Sequence, residues 1–353
     1  MINAQSIGRM RSGSIPKNFS GRDMLSHNNS QENSTQFYRG FIQVAERNAV
    51  GLDTDLVRGL MSPQACTSAK YLYDALGSKL FEAICELPEY YPTRSEAAIF
   101  ARHLPSIAAA CGKGATLIDL GAGNCAKAAR LFGALRPAQY VPVDISVDFL
   151  RDAVDSLQQR FPQIDMLGVG LDFSGALELP ERVRRAQRLF FYPGSSIGNF
   201  SPEEALAFLG RVRRACSHDG GILIGVDLVK DSALLDAAYD DALGVTAAFN
   251  LNLLHHLNRV LGANFRVPDW RHRGFFNAGK SRIEMHLEAR RPVTVAWRGG
   301  ERRFAEGERI HTENSYKYTP DAFKDLLAQA GFGAVRSWTD ERGWFMVCHG
   351  AAA

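Results

Sequence analysis

Three turns along the chain carry residues that could do chemistry, and each closes a short apolar run. Leu117-Ile-Asp-Leu-Gly-Ala-Gly123 sets a glycine turn directly after a strand-like segment. Missing side chains there let a ligand approach the backbone, and the next helix points its N-terminus at it. Tyr140-Val-Pro-Val-Asp144 ends on a carboxylate able to accept hydrogen bonds from both hydroxyls of a ribose. Asp172-Phe173, after the run Asp165–Val169, offers a polar side chain and adjoining backbone groups for an adenine edge and its amino group. A G-x-G occurs in many loops, and position 126 is alanine where a dinucleotide fingerprint has its third glycine. Either aspartate alone would read as a turn former or helix cap. Three such features at successive strand ends, on the face where open α/β sheets take ligands, point to a nucleotide-derived cofactor.

Positioning these turns requires strands that alternate with helices. Residues 115–120, 140–144, 165–169, 188–192 and 221–226 read as strands, and Glu96–Cys111, Cys125–Leu135 and Val147–Arg160 as helices. Ser201-Pro-Glu-Glu204 opens a further helix to about Cys216, with a serine cap, proline at the first position and a capping box closed by Glu204. This alternation implies a doubly wound, parallel, Rossmann-like sheet of the α/β class. From Gly40 to Pro92 the spacing of Leu72, Leu76, Leu80, Phe81, Ile84 and Leu87 is helical, and the prolines of Leu87–Arg94 predict an extended connection. Alternation stops at residue 230. Helices over Ala233–Tyr239 and Val245–Leu261 then mix with hairpin-like strands at Ser281–Ala289 and Thr294–Arg298, a smaller α+β insertion. A helix capped at Thr319 and two last strands, Val335–Trp338 and Trp344–Cys348, give an antiparallel tail that resembles the edge of a class I methyltransferase sheet. That tail and the missing glycine disfavour a nicotinamide dehydrogenase.

Bulk properties exclude other classes. With 46% apolar and 22% charged residues the 353-residue chain has the composition of a globular protein. A formal charge of +3 implies neither a nucleic-acid tract nor a membrane-surface patch, and no run approaches a membrane span. Cys66, Cys85, Cys111, Cys125, Cys216 and Cys348 are scattered without zinc-site or disulfide spacing, so reduced thiols, a cytoplasmic location and no metal are expected. His255 and His256 are neighbours in sequence and point to different faces of a helix, which discounts them as ligands. Residues 1–39 are polar and lack periodicity; they read as a disordered extension outside the fold.

Longer blocks then identify a family. Tyr71–Arg94 (YLYDALGSKLFEAICELPEYYPTR), Tyr192–Phe200 (YPGSSIGNF), Val226–Lys230 (VDLVK), Ala238–Asn252 (AYDDALGVTAAFNLN), Ser281–Leu287 (SRIEMHL) and Ile310–Tyr318 (IHTENSYKY) resemble the signature blocks of the histidine-specific, S-adenosylmethionine-dependent methyltransferases. The likeness runs from about residue 40 to the C-terminus. It implies three methyl transfers to the α-amino nitrogen of L-histidine, giving hercynine for ergothioneine biosynthesis, in a monomer whose partner is a small amino acid. Tyr90, Asn199 and Tyr239 match positions that hold the carboxylate and amino ends, and Glu313 and Ser315 those that hold the imidazole. Met285 matches a wall of the side-chain pocket, and Tyr73 stands where a phenol faces the methylated nitrogen. Gly121, Lys127, Asp144, Asp172, Phe173 and Gly194 match the cofactor side. The implied organisation places a substrate-binding domain at 40–93 and 230–317 and a cofactor domain at 94–229 and 318–353.

The chemistry suits these residue types. A sulfonium methyl is already activated, so the protein must mainly align a neutral amine and exclude water. Tyrosine and asparagine orient amine and carboxylate without setting a full charge beside a nitrogen that must lose its proton. Glu313 accepting a ring N–H while Ser315 bonds the other ring nitrogen would specify a heteroaromatic ring. A same-family enzyme acting on another amino acid or a histidine-derived thiol, or a noncatalytic ligand-binding homologue, are the alternatives. Glu313, Ser315 and Met285 argue against tryptophan or an aliphatic acceptor.

Overall fold

A computed structural model describes residues 36–38, 40–44 and 49–352. The described chain begins with short strands β1 (Gln36–Tyr38) and β2 (Phe41–Gln43), then α1 (Ala49–Met61), a 3-10 turn at Ala69–Leu72, α2 (Ala75–Cys85) and α3 (Tyr91–Cys111). The alternating part follows: β3 (Thr116–Leu120), α4 (Ala126–Ala129), α5 (Phe132–Leu135), β4 (Gln139–Asp144), α6 (Val147–Arg160), β5 (Asp165–Met166), β6 (Gly168–Gly170) and β7 (Arg188–Tyr192). A 3-10 turn at Ser196–Asn199 leads to α7 (Pro202–Ala215) and β8 (Gly221–Asp227). Next come α8 (Ser232–Tyr239), α9 (Val245–Leu261), β9 (Trp270–Asn277), β10 (Arg282–Ala289), β11 (Val293–Trp297), β12 (Gly300–Phe304) and β13 (Arg309–Tyr316). The last elements are α10 (Pro320–Gln329), β14 (Phe332–Thr339) and β15 (Phe345–Ala352).

Among the described residues, the main sheet has the order β1-β2-β6-β4-β3-β7-β8-β15-β14, with β5 beside β4. Its centre is parallel, and β15 and β14 close one side antiparallel, the class I methyltransferase arrangement. Strands β3 and β8 are buried at every position, so their sequences are mostly apolar instead of alternating, with Thr116, Asp119 and Asp227 as the buried polar exceptions. Ile118 and Phe190 look into one core with Phe208 and Phe323, while Leu117 and Leu189 look into another with Ile99 and Leu150. Helices therefore cover both faces, and the turns after β3, β4 and β6 meet at one edge. A third core gathers residues from 56–91 with residues from 235–310 around a second sheet, β13-β10-β9. No helix among the described residues is long and apolar enough to cross a membrane.

The cap foreseen for α7 is present in full: Ser201 Oγ accepts from Glu204 N at 3.2 Å, and Ser201 N donates to Glu204 Oε2 at 2.8 Å. Ser201→Ala should lower unfolding free energy by about 1 kcal/mol, read as a lower urea midpoint at constant slope. An unchanged midpoint would mean the cap is idle.

Several expectations need correction. The extension was placed at 1–39, yet β1 lies inside that stretch, pairing antiparallel with β2, which adds to the main sheet beside β6. Residues 40–44 therefore belong to the cofactor sheet, not to a helical substrate part; three-residue strands offer too few positions for a period-two signal. Expectations for residues 1–34 lie outside the described residues. The connection at Leu87–Arg94 is shorter than expected, because α3 starts at Tyr91 with Pro92 in its first turn, where proline loses no needed N–H. The helix expected at Cys125–Leu135 is two short pieces, since Leu131 N closes a tight turn on Ala128 O at 2.9 Å.

Candidate active site

Where β3, β4, β6 and β7 end, a cleft of about 1550 Å³ opens, lined by Gly121, Lys127, Asp144, Asp172, Phe173 and Gly194 together. Gly121 has φ +69°, a left-handed conformation that costs glycine nothing. Asp144 caps the turn itself: its Oδ2 accepts from Gly123 N at 3.0 Å and its Oδ1 from Ser146 N at 2.9 Å. The carboxylate is thus held rigidly at the tip of β4. Phe173 packs edge-on to Tyr192 and lines the wall near Gly121. A glycine cradle, a fixed carboxylate and an aromatic wall fit an adenosyl cofactor.

Two ion pairs border this cleft. Lys127 Nζ meets Glu96 Oε2 at 2.7 Å, and Glu96 Oε1 accepts from Gly194 N at 2.8 Å, so a buried carboxylate ties α4 to the turn after β7. A Cβ on Gly194 would come within 2.9 Å of Lys127 Nζ, at φ +76°. Lys70 Nζ reaches Asp172 Oδ2 at 3.0 Å. Burial opposes charge on Asp172, but Ser174 and Lys70 hold the carboxyl below its usual range.

A smaller cavity of about 40 Å³ adjoins the cleft; Tyr73, Tyr90, Asn199 and Glu313 line both, and Tyr239, Met285 and Ser315 line the smaller one. All the residues singled out from sequence therefore meet at two adjoining spaces. Rings form much of the wall: Tyr73 lies edge-on to Phe81 and Phe249, and Tyr90 edge-on to Phe81 and Tyr239. Burial raises the Tyr73 and Tyr90 phenols well above their usual range, so both stay neutral.

Glu313 owes its direction to a bulge. Met285 pairs with Glu313 but the next residue, His286, pairs with His311, so Thr312 is the extra residue. Glu313 thus shares a face with Met285, toward the cavity, while His311 stacks on His286 with ring centroids 4.6 Å apart. Burial pushes the Glu313 carboxyl up to about 7, against the pull of Lys317. Its Oε2 is buried without a hydrogen-bond partner in the protein.

Lys317, Asp227 and Glu96 are the polar residues that sequence reasoning missed. Lys317 Nζ, with no exposed side-chain surface, contacts Ser315 Oγ at 2.7 Å, Asp227 Oδ2 at 2.9 Å and Tyr239 Oη at 3.1 Å. Burial opposes its charge, yet Asp227 and Tyr239 outweigh that and hold the ammonium above the usual lysine range. Tyr239 Oη donates to Ser315 Oγ at 2.9 Å. The two hydroxyls, which the family resemblance puts at opposite ends of a substrate, are therefore a coupled pair. Strand periodicity was the available signal: beyond the bulge, residues 313, 315 and 317 fall on one face.

Among the described residues, Glu284, His286 and His311 place metal-ligand atoms within 4.8 Å of one another. Arg282 already donates to Glu284 Oε1 through Nε at 2.9 Å and Nη2 at 2.6 Å, and His286 Nε2 lies 3.1 Å from Glu284 Oε2. Guanidinium supplies the countercharge there, and the trio reads as a polar network on the sheet.

A family model described as histidine-specific methyltransferase, SAM-dependent, matches residues 52–352. The histidine N-alpha-methyltransferase of Mycolicibacterium smegmatis is 39% identical over 307 residues, covering 85% of this chain and 95% of that protein. The protein of that name from Mycobacterium tuberculosis is 39% identical over 303 residues, covering 84% and 93%. N-methyltransferase imqF of Aspergillus flavus is 28% identical over 307 residues, covering 83% of each.

Proposed function

This chain belongs to the SAM-dependent, histidine-specific methyltransferase family, and we propose that it methylates the α-amino nitrogen of L-histidine three times, giving hercynine for ergothioneine biosynthesis. S-adenosyl-L-methionine is the co-substrate and supplies the electrophilic methyl group. The observation that carries the reading is the buried, unpartnered Glu313 oxygen facing a cavity that opens into the cofactor cleft.

In this reading Asp144 takes the ribose hydroxyls, Asp172 and Phe173 the adenine, and Gly121, Gly194 and Lys127 the remainder of the cofactor. Glu313 accepts the imidazole N–H and the Ser315 hydroxyl bonds the other ring nitrogen, with Met285 as a wall. Tyr90, Asn199 and Tyr239 orient the amino acid's polar end, and the Tyr73 phenol faces the nitrogen. No carboxylate need stand beside the amine, so a neutral lone pair is not drawn back to ammonium. Aromatic faces hold the growing cationic ammonium while keeping water out. Alignment supplies most of the acceleration.

Turnover against a panel of amino acids with S-adenosyl-L-methionine tests the substrate. L-histidine should be methylated far faster than phenylalanine, tryptophan or leucine; preference for any of those, or no turnover, would overturn the reading. The pH profile adds a second check. Glu313 is neutral below its value of about 7 and a carboxylate above it, so kcat/KM for histidine should rise through an acid limb near that pH. In Glu313→Gln that limb should move down toward the titration of the substrate's own imidazole, at about 6.5; an unchanged limb would assign it to another group.

A further inference from the structure

An ammonium has three hydrogens to donate and nothing to accept with. Those of Lys317 go to Asp227 Oδ2, Tyr239 Oη and Ser315 Oγ. Both hydroxyl oxygens thus accept from a cation, and they also lie 2.9 Å from each other. Two hydroxyl hydrogens remain to be placed. One is used in the bond that Tyr239 Oη donates to Ser315 Oγ. The other finds no acceptor on Lys317 and must point out of the cluster, into the cavity that Tyr239 and Ser315 line with Glu313. In the lining of the same cavity Glu313 Oε2 offers the opposite, a buried acceptor with no partner.

Neutralising Asp227 does not explain the lysine. Asp227 already has Lys230 Nζ at 2.6 Å on Oδ1 and the Tyr91 hydroxyl at 2.7 Å on Oδ2. A second buried ammonium costs desolvation that a structural role would not require.

We propose that Lys317 is a positioning residue that fixes the Tyr239–Ser315 pair as a hydrogen-bond donor, so that the pocket presents one donor and one acceptor. A ring with one N–H and one bare nitrogen, neutral imidazole, satisfies both; a ring with neither leaves Glu313 and the free hydroxyl unpaired. The inference rests on Glu313 and Ser315 being the ring contacts.

The experiment measures, on the full chain, KM and kcat for L-histidine and the inhibition constant of 3-(2-thienyl)-L-alanine, a five-membered ring without strong donors or acceptors. Lys317→Met should raise KM for histidine by about tenfold or more, with a smaller change in kcat, weaken thienylalanine far less, since that ligand shares only the polar-end contact of Tyr239, and leave cofactor affinity nearly unchanged. Lys317→Gln keeps a donor for Asp227 but adds an acceptor oxygen, so it should fold and shift the ratio in the same direction should the methionine variant fail to fold. Equal weakening of both ligands would mark Lys317 as merely structural and overturn the proposal. A ratio lost in Ser315→Ala but kept in both lysine variants would overturn the proposal while leaving the ring contacts standing. A ratio kept in Ser315→Ala and Glu313→Ala as well would remove the ring contacts themselves, and the proposal with them.

Discussion

Glu313→Ala is expected to lower kcat/KM for L-histidine by about a hundredfold, the upper end of the roughly 1.5–3 kcal/mol that one charge-assisted hydrogen bond contributes. Its carboxylate is the buried acceptor facing the smaller cavity, and its Oε2 is unpartnered. A site built to bond a ring N–H rejects rings that lack one, because the wrong ring leaves a buried polar group unpaired. Cofactor affinity should barely change, since Glu313 is not among the residues assigned to the cofactor. The truncation also empties volume beside Met285, so activity toward the bulkier ring of tryptophan should rise from near zero. Histidine kinetics within about twofold of the parent would place imidazole recognition elsewhere.

Asp144→Ala should weaken S-adenosyl-L-methionine binding by about tenfold to a hundredfold, with histidine affinity far less affected. Two effects add. The ribose hydroxyls lose a carboxylate acceptor, and Gly123 N and Ser146 N lose the oxygens that hold the turn in shape. Calorimetry separates cofactor from substrate binding, and an unchanged cofactor dissociation constant would remove Asp144 from the site.

The parallel sheet was readable because its strands are buried on both faces and its helices carry their own caps, as at Ser201. That Gly121, Asp144 and Asp172 line one cleft was readable because each follows a strand on the face where open α/β sheets take ligands. The residues proposed for the substrate were not legible from spacing. Tyr73, Tyr90 and Tyr239 come from three separate elements, and each tyrosine alone would pass for core packing. Lys317 escaped notice for a different reason: a lysine in sequence is read as solvated, and only the fold brings Asp227 and Tyr239 to its ammonium. The bulge at Thr312 was equally invisible, although it decides that Glu313 faces the cavity and His311 does not. Strands β1 and β2 were too short to announce themselves.

The most direct measurement is to incubate the protein with L-histidine and S-adenosyl-L-methionine carrying a deuterated methyl group, then locate and count the labels by fragmentation mass spectrometry. The expected product carries three labelled methyl groups on the α-amino nitrogen and none on the ring, with three equivalents of S-adenosylhomocysteine released. Label on the imidazole, or no transfer to histidine at all, would contradict it.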